Sequence, residues 1–149
     1  MSDLFAELFN NATLWVAILG WAVAQLIKFV IELARRRRID ISLFVSSGGM
    51  PSSHTSFVTA MTTSIGLRDG FDSSLFAVCA IISMVVMYDA AGVRRAAGHH
   101  AAIINDLLDH IEDTGIILDK KLKELLGHTP VEVAAGAILG VAIAALCVK

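Results

Sequence analysis

The sequence predicts an all-α integral membrane protein: a helical bundle of about four transmembrane helices with an amphipathic helical insertion at about residues 96–127. Two observations predict it. Hydrophobic residues make up 56% of the 149 residues and charged residues only 17%, and the mean hydropathy is +0.70, which is far more apolar than a soluble domain. The apolar residues also fall into four segments, Ala12–Ala34, His54–Leu67, Ser74–Val93 and Val131–Val148, bounded by turn residues and charge clusters and without strand-like alternation. A chain this short is expected to form one membrane-embedded domain over residues 1–149.

The elements follow in order. Met1–Asn10 carries Asp3 and Glu7 in place of a basic leader, so the first apolar helix is expected to be retained. His54–Leu67 is shorter than the roughly 20 residues of a full span and rich in Ser and Thr, so it should pack inside the bundle and not face lipid. Between Ala96 and Gly127, Ile103, Ile104, Leu107, Leu108 and Ile111 recur at helical spacing against Asp106, Asp109, Glu112 and Asp113, which predicts a surface helix or helical hairpin. Cys79 and Cys147 lie in apolar runs without metal-ligand spacing and read as small hydrophobes.

If all four segments cross, Arg35–Ser53 and Arg94–Pro130 share one side, and Arg68–Ser73 and both termini share the other. The first side collects Arg35 to Arg38, Arg94, Arg95, Lys120, Lys121 and Lys123. The excess of basic residues places that side in the cytoplasm and makes the chain a multi-pass inner-membrane protein. A formal net charge of −2 excludes a globally basic nucleic-acid binder.

Three groups of residues on the basic side carry chemistry. Lys28 lies within an apolar segment, where an ionisable group is costly, and Arg35 follows two helical turns later on the same face. Pro51-Ser52-Ser53-His54 opens the second segment and offers two hydroxyls, free backbone N–H groups at a helix start and a proton donor. His128 and Glu132 open the fourth, spaced so that a carboxylate orients one imidazole nitrogen and leaves the other free to act as a nucleophile. Thr129, Pro130 and Glu132 also fit a capping box, which explains the helix start but not His128. With Arg94 and Arg95 at the end of the third segment, the set is a clamp for a tetrahedral anion beside two histidines, suited to phosphoryl transfer through a phosphohistidine.

These motifs resemble those of the type 2 phosphatidic acid phosphatase and vanadium-dependent haloperoxidase superfamily, in a small divergent branch. Lys28 and Arg35 match the spacing of the first motif, with Arg36 where the family has proline. Pro51-Ser52-Ser53-His54 is similar to Pro-Ser-Gly-His, and His128 with Glu132 matches the third motif's His-to-acid interval with Glu for Asp. Leu122, between Lys121 and Lys123, stands at the arginine position of that motif, so Arg94, or else Arg95, is expected to supply the guanidinium across the insertion.

The resemblance spans about Lys28 to Gly140. It implies His128 as nucleophile, Glu132 as its orienting acid and His54 as proton donor, with Lys28, Arg35, Ser52, Ser53, Arg94 and Arg95 binding phosphate and no metal or cofactor required. It also implies a membrane phosphatase acting on a phosphorylated lipid or small phosphoester. Four helices are fewer than the six usual among membrane members, which makes a homodimer the expected remedy. The family's shorter Asp is expected to serve as well as Glu132 or better. The rival reading is a non-catalytic membrane protein that binds or moves anionic lipids. It explains the cations but not the His128–Glu132 pair opposite His54. A metal site of His99, His100, Asp106 and His110 lacks supporting ligands and reads as solvated side chains.

Overall fold

The computed structural model describes residues 2–36, 49–112, 122 and 127–148, without the side chains of 2–4, 35, 36, 111 and 112. Its elements are α1 (Ser2–Phe9), α2 (Ala12–Arg36), α3 (Ser53–Asp69), α4 (Ser74–Ala91), α5 (Val93–Glu112) and α6 (Pro130–Cys147). No strand occurs among the described residues.

The starts of α2, α3, α4 and α6 are written in their capping residues. The Asn11 side chain accepts from Leu14 N–H at 3.0 Å ahead of α2. Ser52 and Ser73 cap α3 and α4 through Thr55 N–H and Phe76 N–H. Thr129 and Glu132 form a complete capping box on α6, with Pro130 in the first turn. A short polar side chain satisfies N–H groups that the helix itself leaves unpaired.

Three stretches are long and apolar enough to cross a membrane: Ala12–Ala34, Ser74–His110 and Pro130–Cys147. The segment that α3 occupies is not among them, although four crossings were expected. Its composition explains the difference. Ser53, Thr55, Ser56, Thr59, Thr62 and Ser64 are all buried, so the hydroxyls that lower its hydropathy face other helices. Ser56 Oγ donates to Gly20 O at 2.9 Å in α2, Thr62 Oγ1 donates to Cys79 O at 3.1 Å in α4, and Ser83 Oγ returns to Val58 O at 3.2 Å. Interhelical bonds of this kind are worth about 0.6 kcal/mol each in a membrane. The expectation that this segment packs inside the bundle holds.

The pairings give the directions. Ser64 Oγ meets Thr13 Oγ1 at 3.3 Å while Ser56 meets Gly20, so α2 and α3 run antiparallel. Gly136 lies against Ser52 and Thr55, and Gly140 against Ser56, Thr59 and Ala60, so α6 runs parallel to α3. These two glycines, four residues apart, let the backbones approach closely. A Cβ on Gly140 would lie 2.8 Å from Ala60 N and still closer to Thr59 Oγ1 and Ser56 O, leaving no flexible group to yield. Gly140→Ala is therefore expected to destabilise the bundle by about 1–3 kcal/mol, read as a lower midpoint of thermal unfolding in detergent. Ala134→Leu on the exposed side of α6 should leave that midpoint in place.

The amphipathic element begins at Val93, before the expected Ala96, and follows α4 after Gly92 alone. Gly92 N–H still bonds Tyr88 O at 2.8 Å and Ala96 N–H bonds Gly92 O at 2.9 Å, so the backbone ladder passes through the junction. The buried stripe of α5 is Gly98, Ala101 and Asn105, with Ile103, Ile104 and Leu107 exposed. The Asn105 amide pairs with both backbone groups of Leu122 at 2.8 Å each. The rest of the expected hairpin, and Arg37 to Gly48, lie outside the described residues.

Candidate functional site

One end of the bundle gathers the end of α2, the start of α3, the end of α4 and the start of α6. Two backbone bonds fix it. Ser52 N–H donates to Glu132 O at 3.0 Å, joining the entries of α3 and α6, and His128 N–H donates to Ala90 O at 2.9 Å in the last turn of α4. Gly127 permits the second bond. Its φ of +89° disfavours other residues, and a Cβ there would lie 2.7 Å from the Arg94 carbonyl carbon and the Arg95 Cα. The approach of that glycine to the Arg94–Arg95 backbone sets His128 beside the α4–α5 junction.

His128 is 3% exposed. Its Nδ1 lies 3.1 Å from Glu132 Oε2, and the same oxygen accepts from Thr129 N–H at 3.1 Å. A carboxylate only accepts, so Nδ1 carries the proton in the neutral ring and the lone pair is at Nε2. Nε2 is buried and without a hydrogen-bond partner. Burial is the main reason the His128 pKa falls below the ordinary value of 6.5, and the Lys28 charge lowers it further. The Glu132 bond and charge and, more weakly, the Gly49 backbone oppose that shift. Gly49 nevertheless makes no geometrically sound hydrogen bond to Nε2.

His128 shares a small cleft of about 30 Å³ with His54, Arg94, Asp89, Val86 and Ala90. His54, in the first turn of α3, is exposed. Arg94 donates through Nε to Asp89 Oδ2 at 2.6 Å, with both side chains partly exposed. Such an exposed pair adds less than about 1 kcal/mol of stability, but it holds the guanidinium in place beside the cleft. Lys28 is 5% exposed. A Cβ on Gly49, whose φ is +81°, would stand 3.4 Å from its Cγ and Cδ, so this glycine leaves room for the lysine stem.

The other expected ligands stand differently. Ser52 and Ser53 are buried. The Ser52 hydroxyl accepts from Thr55 N–H at 3.4 Å and Thr55 Oγ1 at 3.0 Å, and its N–H is held by Glu132 O, so Ser52 serves the joint between α3 and α6. Arg95 is exposed and does not line the cleft; its backbone supports Gly127. Arg35 is in the last turn of α2, and its side chain lies outside the described residues, as do Lys120, Lys121 and Lys123.

Asp89, the partner of Arg94, is not among the site residues expected from the sequence. An acid five residues before an arginine, across a helix junction at Gly92, is the signal that could have found it. His99, His100 and His110 lie exposed on α5, and no group of three or more His, Cys, Asp or Glu among the described residues could hold a metal ion.

The molecule is thus a membrane protein of apolar helices with a histidine–carboxylate pair, a second histidine and two cations at one end of the bundle. The chain belongs to the divergent PAP2 family, whose profile matches residues 9–143. It is 44% identical over 146 residues to a Bacillus subtilis (strain 168) protein called uncharacterized membrane protein YuiD, covering 91% of this chain and 92% of that one. No solved structure gives a significant match.

Proposed function

We propose that the protein is a membrane phosphatase that hydrolyses a phosphomonoester of a lipid through a phosphohistidine. One observation carries this reading: a buried histidine bonded through Nδ1 to a carboxylate, with Nε2 unpartnered, in a cleft shared with a second histidine and an arginine. Nε2 of His128 attacks phosphorus, and the P–N bond forms as the P–O ester bond breaks. His54 gives its proton to the departing oxygen, then accepts one from the water that hydrolyses the phosphohistidine.

Lys28 and Arg94, joined by Arg35 and by backbone N–H groups of the first turn of α3, meet the charge on the phosphoryl oxygens. The scheme calls on no metal or cofactor. The test is phosphate release by the purified protein across a panel of lipid phosphates, with vanadate as inhibitor. A protein that binds these lipids and releases no phosphate would point to the lipid-binding reading.

Because His54 must hold a proton while the attacking ring must be neutral, kcat/KM should fall at high pH as His54 deprotonates and rise along the acid limb as His128 loses its proton. Its lowered pKa puts the midpoint of this limb below 6.5. A pH–rate profile checks it, and a midpoint above 6.5 would exclude His128 as the group observed.

The excess of basic residues at this end of the bundle supports a cytoplasmic site. In a cysteine-free background, an impermeant maleimide should label a cysteine at Ser73 in intact cells and miss one at Ala96 until the cells are opened. The reverse pattern makes the site external.

A further inference from the structure

A second feature lies beside the site, on the face between α2 and α6. It is an open groove of about 420 Å³ lined by Ile27, Ile31, Pro51, Ala135, Ile138 and Ala142, among others, with hardly a polar atom on its walls. We infer that this groove holds one hydrocarbon chain of a lipid phosphate whose head group occupies the cleft at His128. The inference rests on the phosphatase reading for the identity of the head group.

Three observations commit the groove to this occupant. The cleft of about 30 Å³ at His128 has no room for a hydrocarbon chain, so a lipid substrate must lay its tail elsewhere. Two other cavities of comparable size open at the far end of the bundle, one lined by Thr13 and Asp69 and one by Trp15 and Cys147. The α2–α6 groove instead begins at the site end. Ile27 and Ile31 flank Lys28 in sequence, Ala135 is one turn after Glu132, and Pro51 leads directly into Ser52.

An almost wholly apolar channel that begins next to Lys28 in sequence matches a molecule with an anionic head and a hydrocarbon tail. Both walls belong to stretches apolar enough to cross a membrane, so the channel opens sideways to lipid. From Ala135 to Ala142 it follows α6 for seven residues, about 10 Å, against about 15 Å for half a bilayer's hydrocarbon core. The substrate thus enters from the leaflet, and chain carbons beyond the groove contribute little.

The experiment uses the full-length protein in vesicles with a phosphatidic acid carrying a photoactivatable diazirine along one chain, and maps the adducts by mass spectrometry. Label should concentrate at residues 27–31 and 135–142 and fall at least fivefold in Ala142→Trp, which plugs the deep end. In a series of lipid phosphates of increasing chain length, the length at which KM stops falling should become shorter in Ala142→Trp. It should stay unchanged in Val78→Trp on the exposed face of α4. Label spread evenly over α2, α4 and α6, or a KM series that Ala142→Trp does not shorten, overturns the groove even if phosphate is released. Label concentrated in the groove without phosphate release upholds the lipid site and removes the phosphatase.

Discussion

Replacing His128 by alanine is expected to abolish both phosphate release and any covalent phosphoenzyme, a loss of at least about 10⁴-fold in kcat, on the scale seen when a catalytic nucleophile is removed. His54→Ala should behave differently. It removes a proton donor and leaves the nucleophile, so the loss should be about 10²–10⁴-fold for an alcohol leaving group. The loss should be much smaller for a nitrophenyl ester, whose departing oxygen needs no proton. Vanadate should still bind the His54 variant. If His128→Ala retains turnover, or if His54→Ala is impaired equally for both leaving groups, the assigned roles are wrong. Rapid-quench detection of phosphohistidine together with a leaving-group series separates these outcomes.

The second large effect is expected from Glu132→Gln. The amide oxygen can still accept from Thr129 N–H, so the start of α6 should survive. That oxygen, in the place of Oε2, also accepts from His128 Nδ1, but a neutral amide no longer balances the positive charge the ring gains as it attacks phosphorus. A loss of about 10²–10⁴-fold with a nearly unchanged thermal midpoint is expected, as when a histidine's orienting carboxylate becomes an amide. The geometry also revises the expectation for Glu132→Asp. One oxygen serves both Thr129 N–H and His128 Nδ1, each at 3.1 Å. A side chain one methylene shorter cannot span from N3 to both, so activity should fall about tenfold instead of being kept or raised. Activity at or above wild type in Glu132→Asp would show that the cap and the catalytic pair are separable.

Much of the architecture was legible because its physics is local. Ser73 before an apolar run and Thr129-Pro130 ahead of Glu132 mark helix starts on their own. The His128–Glu132 interval likewise brings the two side chains together within one turn. What could not be read was set by contacts between distant segments. Nothing local distinguishes Ser52, engaged by Thr55 and Glu132, from a serine open to a ligand. The choice of Arg94 over Arg95 for the cleft depends on Asp89 and on Gly127 meeting their backbone from more than thirty residues away. Hydropathy leaves the segment of α3 out of the membrane-spanning stretches because a window average cannot tell a hydroxyl facing water from one bonded to a neighbouring helix's carbonyl.

That hydroxyl-lined helix has a consequence for biogenesis. With a Ser or Thr at nearly every turn, α3 has little tendency to leave the translocation channel for lipid by itself, yet it runs from the site end to the Ser64–Thr13 contact at the other. Its stable insertion therefore waits on partners made both before and after it: α2, which accepts from Ser56, α4, which accepts from Thr62, and α6, whose glycines close the last face. A nascent chain stopped before Pro130 should hold α3 only loosely and be a substrate for membrane proteases, so quality control would read the arrival of α6 as the signal that the protein is complete.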